Sequence, residues 1–127
     1  MKSRATSSTG DEPIVRYAEM FAALGTESRL RILRLLLSAH PEGMIAGDIQ
    51  VELEIAPSTL SHHLDRLRSE GLITVRREGT FLWYAASTHV LEELLGFLFS
   101  ECCTRSRAVS TDALLQICDI RPRSKKP

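Results

Sequence analysis

Three soft sulfur donors, Cys102, Cys103 and Cys118, are the side chains whose chemistry is least ordinary. Thiolates select soft ions, and three of them would neutralise a thiophilic trivalent centre such as As(III) or Sb(III). The lone pair of such an ion leaves three pyramidal positions, one for each sulfur. Arg105 and Arg107 follow closely, and positive charge favours the thiolate form that binds. Two other uses stay open. The cysteines could serve as small apolar side chains in a packed seam. Alternatively, oxidation could join Cys118 to Cys102 or Cys103. A bond between Cys102 and Cys103 themselves would be strained within a helix.

A second group suits hydrogen bonding to a polyanion. In the segment Pro57-Ser58-Thr59-Leu60-Ser61-His62-His63-Leu64-Asp65-Arg66-Leu67, the leucines Leu60, Leu64 and Leu67 fall on one helical stripe. The opposite face carries Ser58, Thr59, His62 and Arg66, with Ser61 at its edge. Such short or basic donors and acceptors fit base edges and phosphates in the major groove of DNA. Arg76 and Arg77 lie on the hairpin that follows and are expected to make its contact with phosphate. His62 is read as a DNA contact, and His63, at the border of the leucine stripe, as structural.

These groups need a scaffold. Residues 14–24 show helical spacing through Ile14, Val15, Ala18, Phe21 and Ala22. Gly25 breaks that pattern and Thr26 can cap the next helix, at 27–39. Its buried set is expected to be Leu30, Leu33, Leu36 and Leu37, with Arg29, Arg31 and Arg34 outward. Residues 40–43 read as a loop, and a short helix at 46–53 places Ile49 and Leu53 one turn apart. Pro57 suits a first helical position, and Gly71 a left-handed cap after Glu70. Segments 72–77 and 80–85, joined at Glu78-Gly79, predict a hairpin. A last long helix starts near Thr88 and reaches Cys102 or beyond. Residues 110–120 could add a short helix that brings Cys118 back towards the cysteine pair. The order is that of a mainly α winged helix-turn-helix with a small β-hairpin: a scaffold helix, a reading helix, a wing.

The long helix carries two apolar stripes, Val90/Leu94/Phe97 and Leu91/Leu95/Leu98, the second continued by Cys102. One can pack on the domain's own core, which is too small to surround both. The other then needs a second chain to cover it, so a homodimer through the first and last helices is expected.

Bulk properties bound the rest. With 127 residues, 16 basic and 16 acidic side chains, the chain is neutral overall, so any affinity for DNA must come from how charge is distributed. The expected organisation is a disordered arm at 1–13, one domain at 14–105, and a C-terminal segment at 106–127 with a basic tail. No apolar run reaches membrane-spanning length and the first residues lack a signal-peptide pattern, which predicts a cytoplasmic protein with reduced thiols. No phosphate-binding glycine loop, paired carboxylates or nucleophile–base set points to an enzyme.

Several of these segments together resemble one family. Leu24-Gly25-Thr26-Glu27-Ser28-Arg29-Leu30-Arg31-Ile32-Leu33, then Ser58-Thr59-Leu60-Ser61-His62-His63-Leu64 with Leu67-Arg68 and Gly71-Leu72, then Glu78-Gly79 and Tyr84, are similar to the arsenic-repressor (ArsR/SmtB) family. The resemblance covers about residues 14–105. It implies a dimeric winged-helix repressor that leaves its operator when a metal ion or other inducer binds, with no resident cofactor required. Two reading helices would enter successive major grooves of a roughly palindromic site. The family's cysteine pair before the reading helix is replaced here by Ile45 and Gly47. Where its interfacial zinc ligands would stand, this chain has Ser87, His89, Ser100 and Cys103, which do not make a zinc set. In the wing, Thr80 replaces an often basic residue. Glu101-Cys102-Cys103 is similar to a late cysteine site in some arsenic repressors of the family, although Cys118 follows at a longer gap than in those.

Overall fold

The computed structural model describes residues 12–104 together with residues 112 and 113. Its elements run α1 (Glu12–Leu24), α2 (Glu27–Ser38), β1 (Met44–Ile45), α3 (Ala46–Leu53), α4 (Pro57–Ser69), β2 (Ile73–Glu78), β3 (Phe81–Ala86) and α5 (Thr88–Thr104). The chain divides into two units, residues 1–94 and 95–127, with the boundary inside α5. None of the described helices is long and apolar enough to cross a membrane.

Local signals set the helix boundaries. Thr26 is extended and its hydroxyl accepts from the Arg29 N–H at 3.3 Å, which satisfies one free donor of the first turn of α2. Pro57 occupies the first turn of α4, whose capping residue Ala56 offers no side-chain acceptor. After α4, Gly71 takes a φ of 79° and lets the chain turn into β2. The turn between α3 and α4 is less orthodox. Glu54 sits in the left-handed region at φ 55°, where glycine or asparagine is the usual choice.

The first unit is organised around one apolar cluster. Met20 and Ala23 of α1, Ile32, Leu33 and Leu36 of α2, Ile49 of α3, and Leu60, Leu64 and Leu67 of α4 are all buried. Leu72, Ile73, Ala86 and Leu94 complete it. No polar or charged residue is fully buried among those described. The leucine stripe expected on α4 is therefore the face that holds it to the scaffold.

On α2 the burial expected from spacing needs correction. Ile32, not Leu30, belongs to the core, and Leu30 and Leu37 are exposed at 46% and 39%. The cause is rotational. The buried arc of α2 is centred on Ile32, Leu33 and Leu36, and Leu30 and Leu37 lie seven residues apart on its flank. The apolar residues of α1 split similarly. Met20 and Ala23 face inward, whereas Ile14, Val15 and Phe21 are exposed.

The wing is larger than a hairpin. β2 and β3 pair antiparallel from Ile73↔Ala86 to Glu78↔Phe81, leaving the two-residue loop Gly79-Thr80. Gly79 supplies the positive φ that a tight hairpin needs. On the other edge of β3, Met44 pairs with Tyr84 and Ile45 with Trp83. The sheet thus has three strands in the order β1-β3-β2. Two residues were too few to register as a strand by alternation; the pairing partner, not the local sequence, makes them one.

Candidate nucleic-acid interface

The outward face of α4 is built by exclusion. Once Leu60, Leu64 and Leu67 are committed to the core, the 3.6-residue period leaves Ser58, Thr59, Ser61 and His62 in solvent, and all four are exposed. Arg66 lies one turn beyond His62 and is half-buried. Its Nη1 donates to Glu70 Oε2 at 3.5 Å, a long pair across one turn of the same helix. That pair holds the guanidinium near the end of the exposed row. The row presents hydroxyls, one imidazole and one guanidinium, which together can donate to and accept from base edges and donate to phosphate oxygens.

His63 belongs to the other side of the helix. Its Nδ1 is buried without a hydrogen-bond partner. Burial pushes its pKa below the ordinary histidine value, and the Arg29 guanidinium and the His62 ring add to the shift. Its place on the packed side of α4 fits the structural role expected of it. Arg29 was expected to look outward. It is instead half-buried, and its Nε donates to the Ala23 carbonyl in the last turn of α1. An arginine five residues after the Leu24-Gly25 helix end was the signal available in the sequence, because the last carbonyls of α1 need donors.

The two wing arginines differ. Both are exposed, but Arg77 pairs across the ladder with Leu82 and makes no side-chain hydrogen bond among the described residues. Arg76 is engaged on three sides. Its Nε donates to Glu78 Oε2 at 2.9 Å, its Nη1 donates to the Glu42 carbonyl at 2.8 Å, and its guanidinium carbon stands 5.3 Å from the centre of the Trp83 ring. Neither Glu42 nor Trp83 was singled out from sequence. A loop at Glu78-Gly79, as expected from sequence, would have set Arg76 against Phe81. The loop is Gly79-Thr80, and that one-residue shift is what sets Arg76 against Trp83, while the Glu42 contact depends on β1.

Of the sulfur set, Cys102 and Cys103 fall in the last turns of α5, and their side chains lie outside the described residues; so do Cys118, Arg105, Arg107, the short helix expected at 110–120 apart from residues 112 and 113, and the basic tail. Among the described residues no group of three or more His, Cys, Asp or Glu side chains could hold a metal ion. His89 Nε2 lies 3.2 Å from Glu93 Oε2, and Arg16 Nη1 of α1 lies 3.9 Å from the other oxygen, Glu93 Oε1. In the second unit Leu95 and Leu98 are about half-exposed, at 50% and 52%.

Comparison with known proteins places this geometry in context. A family defined as a helix-turn-helix domain matches residues 24–76, from the end of α1 into β2. The transcriptional repressor SdpR of Bacillus subtilis is 32% identical over 81 residues, which span 64% of this chain and 87% of that protein. The arsenical resistance operon repressor of Staphylococcus aureus is 32% identical over 72 residues, 57% of this chain and 66% of that protein. Among solved structures, the homodimeric winged helix-turn-helix DNA-binding domain of a possible ArsR-family regulator from Mycobacterium bovis is 30% identical. It superposes with a TM-score of 0.60 over 80% of this chain and 92% of that one.

Proposed function

The chain belongs to the ArsR/SmtB family of winged helix-turn-helix transcriptional regulators, and from that premise we propose that it is a homodimeric repressor released from its operator by As(III) or Sb(III). The observation that carries the DNA-binding part is the face of α4, where Ser58, Thr59, Ser61 and His62 stand in solvent opposite the buried leucines. Arg66 extends that row and Arg77 adds a wing contact to phosphate. The dimer is supported by the apolar residues Ile14, Val15 and Phe21 left exposed on α1, by Leu95 and Leu98 left exposed in the second unit, and by similarity to a homodimeric winged helix-turn-helix domain.

The inducer reading is supported by the adjacent thiols Cys102 and Cys103 and by similarity to an arsenical resistance operon repressor. Cys102, Cys103 and Cys118 exchange three protons for three As–S bonds, and the hydroxides of arsenous acid leave as water. The C-terminal segment is drawn against α5, and the spacing of the two reading helices changes. A coupling of about 1–3 kcal/mol weakens operator binding roughly 5- to 150-fold.

The test starts from duplexes enriched by the purified protein from a random pool. Binding to an enriched duplex weakens as salt rises, and As(III) or Sb(III) releases it. Release by diamide with no response to either metalloid would replace this mechanism with a Cys118 disulfide to Cys102 or Cys103. Enrichment of no sequence at all would refute operator binding.

A further inference from the structure

Arg76 has an address in the wing that a phosphate contact does not need. It starts on β2, crosses the face of Trp83 on the central strand β3, and ends on the Glu42 carbonyl just before β1. The path follows the ladder, since Trp83 pairs with Arg76 on one side and with Ile45 on the other. Glu42 precedes β1, and β1 runs directly into α3, the first helix of the helix-turn-helix. One guanidinium therefore links the outer strand of the wing to the segment that launches α3. The Glu78 carboxylate, accepting from Nε at 2.9 Å, neutralises its charge and fixes its plane.

We propose that Arg76 is a positioning residue for DNA binding. It holds the wing at a set angle to the helix-turn-helix, and Arg77 alone makes the wing's phosphate contact. The proposal rests on the DNA-binding reading given above. Its chemistry is specific to arginine. A planar fork can stack on an indole while donating in two directions, whereas a lysine offers one compact charge and cannot do both. The next arginine shows the contrast: both are exposed, but among the described residues Arg76 makes side-chain hydrogen bonds and Arg77 makes none.

Three variants separate positioning from contact: Arg76→Lys, Arg76→Ala and Arg77→Ala. Each is titrated with a duplex enriched by the wild-type protein, across a range of salt. Positioning predicts that Arg76→Lys and Arg76→Ala weaken binding by the same factor, about 5- to 10-fold. Both keep the wild-type dependence of log K on log salt. Arg77→Ala instead lowers that slope by about one per subunit. Trp83 is the single tryptophan of the chain, so its fluorescence reports the brace directly. Its emission shifts to the red in both Arg76 variants, without DNA, and stays put in Arg77→Ala. Wild-type affinity in Arg76→Lys, together with a reduced salt slope in Arg76→Ala, would make Arg76 a phosphate contact and overturn the proposal. Unchanged Trp83 emission in both Arg76 variants would overturn it too. If the wild type enriches no duplex, the DNA-binding reading fails, and the emission measurement still decides whether the brace exists.

Discussion

Gly43 packs directly beneath the carbonyl of Tyr84, so that a methyl group added at its Cα would overlap that oxygen. Gly43 also has a φ of 87°. Its N–H bonds back to the Ala39 carbonyl at 2.9 Å, and the next residue, Met44, pairs with Tyr84. This close approach is what lets β1 join the sheet and tie the helix-turn-helix to its wing. Gly43→Ala should therefore destabilise the protein by about 2–4 kcal/mol, from backbone strain together with overpacking. Urea unfolding checks this, and a loss under about 0.5 kcal/mol would mean the contact relaxes freely.

Glu54 presents the opposite case. It bears a side chain in the left-handed region, at φ 55°, and is exposed. Replacing it with glycine relieves the steric penalty but adds backbone entropy to the unfolded chain. The first effect is larger at this φ, so Glu54→Gly should raise stability by about 0.5–1 kcal/mol. The midpoint of denaturant unfolding reads the sign.

On α4, affinity and stability should separate. Thr59→Ala removes an exposed hydroxyl and should leave unfolding within about 0.5 kcal/mol of wild type. It should weaken binding to an enriched duplex by about 1–3 kcal/mol. Arg66→Ala should do the same to DNA. Its stability loss should stay below about 1 kcal/mol, because its pair with Glu70 is long and part-exposed. Normal DNA affinity in both variants would mean that the wrong face of α4 has been assigned.

His63 gives the fold a pH dependence whose sign is fixed. Its folded pKa lies below the ordinary value, chiefly through burial, so the unfolded chain binds more protons as the pH falls below about 6.5. The contribution is fully present above that pH and is lost as the pH drops towards the folded pKa. Stability measured without DNA from pH 7.5 to 5 should decline in the wild type, and less steeply in His63→Gln. Identical profiles would show that His63 does not carry the effect.

Much of the fold was legible because its signals are local. Thr26, Pro57, Gly71 and Gly79 each act within one turn of chain, and the helices they bound stand where the sequence places them, whereas the two hairpin strands lie one residue later than expected, with Glu78 in β2 and the loop at Gly79-Thr80. The α4 leucine stripe was equally direct. What was not legible depends on partners far along the chain. Leu30 and Ile32 are both apolar on one helix, and only the positions of β3, α1, α3 and α4 around it decide which one is covered. β1 exists because Tyr84 and Trp83 offer an edge to it. Arg76 and Arg77 look alike in sequence, yet one meets a carbonyl 34 residues away and the other does not. The thiol set rests on its residue types and spacing, since Cys118 and the side chains of Cys102 and Cys103 lie outside the described residues.

The central claim, that thiol capture of a metalloid frees the DNA, is tested most directly by one titration. As(III) is added to wild-type protein bound to a fluorescent enriched duplex, and to Cys102→Ser, Cys103→Ser and Cys118→Ser in parallel, with anisotropy as the readout. The account predicts release of the wild type at about one As(III) per subunit, while all three variants bind the duplex normally and resist release. Release that persists unchanged when Cys102 and Cys103 are both serine would contradict it.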